Sequence, residues 1–247
     1  MAKVNIQSIS ASSRWLKCTA SLQYNKDFKS NINTLKGNLI HAVSALKLKE
    51  IFFKEDHSEE IEKLKKNPYV DSNDKTLIAK WDSDCEKTYE GYISYAIKVY
   101  KQYEPHTIEI EKKIYVTWYG FKKYGFIDLV MISDDYIIII DLKSGRTKVE
   151  SEDNSQMLMY AIGKIQEEQV NKTNFNGNYI ISICQSLVSN IKAYEYSLKQ
   201  ISKFYSSHAK KMEEILFDKL QYDPSEVACK YCDHRTVCNE RIKKGVV

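Results

Sequence analysis

Two runs of β-branched and apolar residues on either side of Asp134-Asp135 constrain this chain more than any other feature. The segment reads Phe126-Ile-Asp-Leu-Val-Met-Ile-Ser-Asp-Asp-Tyr-Ile-Ile-Ile-Ile-Asp-Leu-Lys143. Such runs form strands, and the aspartate pair between them is a turn signal, though weaker than Asn-Gly. With the two aspartates in the turn, Asp128 falls opposite Asp141. Lys143 shares their face because side chains alternate with period two, and opposed side chains have Cβ atoms about 4.5–5.5 Å apart. Like charges that close destabilise a bare sheet. A bound divalent cation relieves them, and carboxylate oxygens are hard ligands suited to magnesium or manganese. A lysine beside such a site stabilises charge developing on a phosphate. The pattern therefore points to metal-dependent phosphodiester hydrolysis.

The surrounding sequence predicts an α/β fold, with a small mixed central sheet flanked by helices. Helical patterns cover 7–22, 36–54, 57–67 and 74–104. After Pro105 the period becomes two, with Ile108, Ile110, Lys112, Ile114, Val116 and Trp118 along one strand, and the hairpin at 125–143 follows. Residues 154–168 return to helix, 178–184 and about 190–197 read as strands, and 198–219 as an amphipathic helix. A chain of 247 residues suits a single domain. Its expected parts are a helical region over about 36–104, a catalytic core over about 105–197, and a C-terminal helix and cysteine cluster over 198–247.

No apolar run is long enough to span a bilayer and the N-terminus lacks the apolar core of a signal peptide, so the expected compartment is the cytoplasm. The formal charge of +4 is too mild to argue for nucleic acid by itself. Lysine pairs at 112–113, 122–123 and 210–211 could nonetheless meet phosphates, although such runs are more often solvated faces.

Six cysteines in a chain of this kind suggest ligation before disulfides. Three are clustered in Cys229-Lys-Tyr-Cys232-Asp-His-Arg-Thr-Val-Cys238, and Cys18 stands near the other end. Cys85 and Cys184 lie in apolar or helical surroundings and read as inert core residues. Four thiolates suit zinc or an iron–sulfur cluster, and one distant cysteine plus Cys-x2-Cys-x5-Cys departs from the paired spacing usual for structural zinc.

Two weaker constellations accompany these. Gly37-x3-His41 places an imidazole one helical turn beyond a glycine that allows close backbone approach. Gln156-x3-Tyr160 puts an amide and a phenol on one helical face. Glu109 and Glu111, on the first strand, either extend the acidic site or face solvent.

In this order, Gly37-x3-His41, Gly125-x2-Asp128, Asp141-x-Lys143 and Gln156-x3-Tyr160 resemble the motif series of RecB-like nucleases in the PD-(D/E)XK superfamily. Cys18 with Cys229-x2-Cys232-x5-Cys238 resembles the iron–sulfur staple of AddB-type and CRISPR-adaptation exonucleases. Phage-encoded members are similar in the stretch Ser10-Ala-Ser-Ser-Arg-Trp-Leu-Lys-Cys18. The likeness runs from about residue 8 to 242. It implies a restriction-endonuclease-like core with a helical N-terminal insertion. It also implies a Mg2+ or Mn2+ site formed by His41, Asp128, Asp141 and the carbonyl of Leu142. Lys143 would orient the attacking water and steady the phosphate, with Gln156 and Tyr160 beside the active site. The four cysteines would hold a [4Fe-4S] cluster, with Zn2+ as the alternative. Many relatives have glutamate where this chain has Asp141, so metal preference could differ. The implied activity is exonucleolytic processing of single-stranded or duplex DNA ends in recombination, repair or phage DNA metabolism, with a recombinase or helicase as an expected partner. The competing expectation is a non-catalytic DNA-binding or assembly subunit with the same fold.

Overall fold

The computed structural model describes residues 8–24, 31–72, 74–118, 121–171, 175–230 and 232–246. The first helix expected over 7–22 begins outside the described residues at position 7 and is interrupted near Cys18. A 3-10 turn, Ile9–Ala11, leads into α1 (Ser12–Trp15), and a second 3-10 stretch covers Thr19–Tyr24. The break is fixed by the far end of the chain. The Ala20 N–H donates to the Gln221 carbonyl at 3.0 Å, and the Thr19 hydroxyl donates to Glu214 Oε2 at 3.0 Å.

α2 (Ile32–Phe53) starts at Asn31, whose side-chain oxygen accepts from the N–H groups of Asn33 and Thr34. α3 (Ser58–Lys66) follows. The helix expected from 74 starts later. Residues 69–79 instead form a short hairpin, β1 (Tyr69–Val70) with β2 (Ile78–Ala79), and α4 spans Ser83–Tyr103. Aspartates explain the shift, because they offer the backbone local hydrogen bonds that compete with helix. Asp71 accepts from the Asp74 N–H, Asp74 accepts from Thr76, and Asp82 caps α4 through the Cys85 N–H.

The central sheet has five strands in the order β3 (Thr107–Trp118), β4 (Phe121–Ile132), β5 (Tyr136–Leu142), β6 (Asn178–Gln185) and β7 (Asn190–Tyr196). All pairs are antiparallel except β5–β6, which is parallel and joined by α5 (Ser155–Asn171). The mixed α/β class is as expected. So is the β4–β5 register, in which Leu129 faces Ile140 and Ile132 faces Ile137. The long helix expected over 198–219 is divided at His208 into α6 (Leu198–Ser207) and α7 (Ala209–Leu216). There the Ser206 and Ser207 hydroxyls donate to carbonyls of the preceding turn, a competition that weakens helices. α8 (Glu226–Cys229) and α9 (Asn239–Lys243) close the chain. Among the described residues, no helix is long and apolar enough to cross a membrane.

Helices cover both faces of the sheet. Ile40 and Leu48 of α2 and Tyr92, Ala96 and Val99 of α4 pack on one face. α5, α6, α7 and the N-terminal segment pack on the other. β5 lies between the layers, so Ile137 to Ile140 are all buried and the strand is apolar without alternation. Each such side chain contributes about 1.5–3 kcal/mol relative to exposure.

β3 and β4 exchange faces partway along. Ile108, Ile110, Leu129 and Met131 join the α2/α4 core, whereas Ile114, Val116, Trp118 and Ile127 join the α5 core. The ladder passes from Ile110↔Leu129 to Lys112↔Ile127, so the exchange falls at the intervening Glu111 and Asp128. Glu111 has φ +50°, in the left-handed region that non-glycine residues seldom occupy. Such a residue costs about 1–3 kcal/mol and persists where the surroundings demand it.

α5 sits on β3 through Gly163. A Cβ there would lie 2.6 Å from Ile114 Cγ1 and 3.1 Å from the Tyr115 carbonyl oxygen. On an exposed helix Gly→Ala would stabilise by about 1 kcal/mol. Here overpacking dominates, and Gly163→Ala should lower stability by about 1–2 kcal/mol in urea unfolding. An increased midpoint would mean that α5 and β3 are not in this close contact.

Candidate active site

Cation-capable side chains gather where the strands exchange faces. His41, Glu111 and Asp128 each present a donor atom, and the three donors lie within 4.8 Å of one another. α2 carries His41 across from the ribbon, and its approach depends on Gly37, where a Cβ would stand 3.0 Å from Ser144 Oγ. His41 Nδ1 is 2.9 Å from Asp128 Oδ1, and the Leu142 N–H donates to Asp128 Oδ2 at 2.6 Å. Asp128 therefore bridges α2 to the end of β5.

Of the four expected metal-site groups, two stand in this trio. The group also includes Glu111, one of the two glutamates left open by the sequence. Asp141 is not one of the three. It extends the β4–β5 register opposite Asp128, but the face exchange turns Asp128 toward α2, while Asp141 points toward α5. Its Oδ2 lies 2.8 Å from Lys143 Nζ, and its Oδ1 accepts from Gln156 Nε2 at 3.2 Å. Leu142 lines the same small cavity as the trio. Glu109 goes elsewhere, to a charged cluster with Lys112, Lys164 and Glu167.

The remaining sequence-derived residues form a second, adjoining row. Lys143 Nζ donates to Gln156 Oε1 at 3.2 Å, and Gln156 Nε2 also donates to the Tyr160 hydroxyl at 3.2 Å. Tyr160 packs under β4 at Gly125, where a Cβ would lie 2.7 Å from the tyrosine ring. The Gly125-x2-Asp128 and Gln156-x3-Tyr160 spacings thus meet in space.

Charge is concentrated here. Burial disfavours the His41 cation, but the Asp128 carboxylate and its hydrogen bond outweigh that and raise the pKa to about 9. Packing around Glu111 and then repulsion from Asp128 raise its carboxyl to about 7. Burial raises Asp141, with Lys143 pulling the other way. Lys143 is penalised by burial yet held above its ordinary value by Asp141. Burial also raises the Tyr160 phenol, with Asp141 adding to it.

A cation fits this donor set on two grounds. Two carboxylates suit magnesium or manganese, the imidazole tilts the set toward a transition metal such as manganese, and the carboxylates favour positive charge among them. In addition, the buried hydroxyls of Ser44 and Tyr92 line the same small space and have no hydrogen-bond partner among the described residues. Buried polar groups ordinarily find one, so both hydroxyls are open to a partner, although the space as it stands is too tight for a water. Sequence reasoning missed both. Ser44 was open to detection, three residues beyond His41 on one helical face. Tyr92 was not, because its spacing with Cys85, Thr88, Ala96 and Val99 reads as core.

The four candidate ligand cysteines converge from both ends of the chain. Cys18 follows α1, Cys229 ends α8, and Cys238 precedes α9. The Asp223 N–H donates to Cys18 Sγ at 3.4 Å. Burial raises the Cys18 thiol, and Cys229 and Cys238 add to the shift. Burial likewise raises Cys232, with Cys18 and Cys229 contributing. Cys85 and Cys184 are buried in the α2/α4 core, as expected of inert residues.

The raised Glu111 carboxyl has a definite pH sign. The cation-free fold holds a proton that the unfolded chain releases near its ordinary value of 4.5. Cation-free stability from this group is present below about 4.5 and lost as pH rises toward about 7. Cation binding displaces that proton, so Mn2+ affinity measured calorimetrically should increase from about pH 6 to about pH 8. Glu111→Gln should weaken binding and reduce this dependence, leaving the part due to the proton that His41 must also lose. A pH dependence unchanged in Glu111→Gln would remove Glu111 from the cation's ligands.

The fold is similar to that of a protein from Eubacterium rectale named "Putative exonuclease", at 14% identity and a TM-score of 0.50, covering 95% of this chain and 88% of that one. SSO0001 matches at 13% identity and a TM-score of 0.33, covering 94% and 97%. At these identities the first likeness concerns fold alone. Residues 5–246 match the DUF2800 family, described as "Protein of unknown function", and the chain belongs to that family.

Proposed function

We propose that this protein is a divalent-cation-dependent deoxyribonuclease of the PD-(D/E)XK, RecB-like kind, acting on DNA ends in the cytoplasm as a single catalytic domain. The observation that carries the reading is the meeting of the His41–Glu111–Asp128 trio with the Asp141–Lys143–Gln156–Tyr160 row at one end of the sheet. His41, Glu111 and Asp128 would hold Mg2+ or Mn2+, which supplies a water of lowered pKa and neutralises charge on a phosphate oxygen. Lys143, kept protonated beside Asp141, donates hydrogen bonds to the scissile phosphate and steadies the charge that grows on it. Gln156 fixes the lysine through its Oε1 and Asp141 through its Nε2, so one amide sets both groups. Tyr160 completes the row by accepting from the same amide. Asp141 holds the ammonium in place and, by its charge, favours a cation nearby. The name of the E. rectale protein agrees with an exonuclease reading, and a helicase or recombinase that exposes DNA ends is a natural partner.

Four thiols brought together from residue 18 and residues 229–238 suit a [4Fe-4S] cluster that ties the chain ends. One distant cysteine followed by Cys-x2-Cys-x5-Cys departs from the paired spacing usual for structural zinc and favours the cluster.

Lys143→Ala should lower degradation of end-labelled DNA in Mn2+ by about a hundredfold or more, with EDTA abolishing activity in the wild type. An active Lys143→Ala protein would overturn the assignment, and an inert, metal-loaded wild type would turn the reading toward a DNA-binding subunit. Anaerobically purified protein should be brown and contain iron that Cys18→Ser loses, whereas colourless protein carrying zinc would replace the cluster with a zinc staple.

A further inference from the structure

Beyond Glu111 and Asp128, the β3–β4 ribbon presents a second kind of surface. Lys113 and Tyr115 on β3 and Lys122, Tyr124 and Phe126 on β4 project from its outer face, opposite Ile114, Val116 and Ile127 in the core. The register pairs Lys113 with Phe126 and Tyr115 with Tyr124. Three aromatic side chains stay open on this face, Tyr115 at 43%, Tyr124 at 53% and Phe126 at 49% exposure. They form a contiguous row, with ring centroids 6.2 Å apart for Tyr115–Tyr124 and 6.0 Å apart for Tyr124–Phe126. Lysines stand over the rings. Lys113 Nζ is 4.4 Å from the Tyr124 centroid, and Lys122 Nζ is 4.4 Å from that of Tyr115.

Exposed aromatics grouped on one face call for an occupant, because water is a poor neighbour for that much apolar surface. The charge on the ribbon selects its chemistry. Between Glu111 and Asp128 the sequence holds four lysines and no acidic residue. Ring faces that take a planar apolar group, interleaved with ammonium groups that take a phosphate, match a strand of unpaired nucleotides. A duplex offers no free base faces to such a row.

The placement also fits. Lys113 lies two residues beyond Glu111, and Phe126 two residues before Asp128. Successive residues on one strand face are about 7 Å apart. The row therefore begins about 7 Å from the acidic trio and runs away from it for two further pairs.

We propose that this face is a stacking platform for single-stranded DNA, which leads the strand to the cation site. Tyr115, Tyr124 and Phe126 stack on successive bases, while Lys113 and Lys122 shift from the rings to the phosphates. The proposal rests on the nuclease reading for what happens at the end of the path, but binding itself does not require cleavage.

Binding of a fluorescein-labelled oligo(dT) to the full chain, followed by anisotropy in EDTA, separates the two. Wild type should bind the oligonucleotide in preference to a duplex of the same length. The double variant Tyr115→Ala/Tyr124→Ala should bind at least tenfold more weakly. Tyr115→Phe/Tyr124→Phe should bind as wild type, because the ring and not the hydroxyl stacks. Lys113→Gln/Lys122→Gln should reduce the salt dependence of binding. Unchanged affinity in the alanine variant overturns the platform. So does an equal preference for duplex, or a wild-type dimer that the alanine variant dissolves without loss of DNA binding. A metal-loaded wild type that is inert as a nuclease yet shows the predicted binding pattern would defeat the enzyme reading and leave the platform standing.

Discussion

The structure depends on one electrostatic constraint, the crowding of carboxylates where β3, β4 and the end of β5 meet α2. The charge of Asp128 opposes ionisation of both Glu111 and Asp141. The fold meets this by distributing partners. Asp128 takes His41 and the Leu142 N–H, and Asp141 takes Lys143 and Gln156. Among the described residues Glu111 has no equivalent hydrogen-bonded partner, and only the nearby charges of His41 and Lys49 favour its carboxylate. Removing the acidic crowding would stabilise a bare sheet, so its presence on a strained backbone is more readily understood as a feature for ligand binding than as one for folding.

Much of this was legible in the sequence, and the reasons are physical. The β4–β5 register followed from two apolar runs and a two-residue turn, because period-two strands leave no freedom once the turn is placed. Gly37-x3-His41 and Gln156-x3-Tyr160 carried information because helical spacing of four fixes a shared face. The face exchange at Glu111 was hidden. A left-handed backbone at a glutamate has no sequence signature, and it determines which acids face α2. The sequence therefore pointed to Asp128 and Asp141 and left Glu111 open, whereas the structure brings Glu111 beside His41 and Asp128. The hairpin at 69–79 was hidden for a related reason, since its aspartates satisfy the backbone locally while the surrounding pattern still resembles an amphipathic helix.

The chain ends answer a different problem. α8 and α9 are four and five residues long, and helices of that length have little stability of their own. α8 is held by the small contact of Cys18, Ala20 and Ala228, while Ala20 with Gln221 and Thr19 with Glu214 tie α7 and the segment after it to the N-terminal turns, and Lys244 just beyond α9 pairs with Asp223. The contact at Cys18 is small beside the two sheet cores. The proposed coordinate tie between Cys18 and the C-terminal cysteines would close a loop of nearly the whole chain, and its entropic effect grows only slowly with that length. Such a tie would therefore act chiefly locally, by fixing segments too short to bury a core.

The same backbone irregularity links the two candidate surfaces. Before Glu111, the ribbon packs the half-buried Ile108 and Ile110 against the α2/α4 core. After it, Ile114, Val116 and Trp118 turn into the α5 core, and the opposite face comes to solvent bearing Tyr115, Tyr124, Phe126 and the lysines. A regular strand could not do both, because its alternation would carry the apolar stripe along one face throughout. One left-handed residue thus ends the buried stretch, turns two carboxylates toward His41, and begins the exposed aromatic row. The energetic cost of that conformation is borne by the two cores on either side, which fix the strands too firmly for the ribbon to relax.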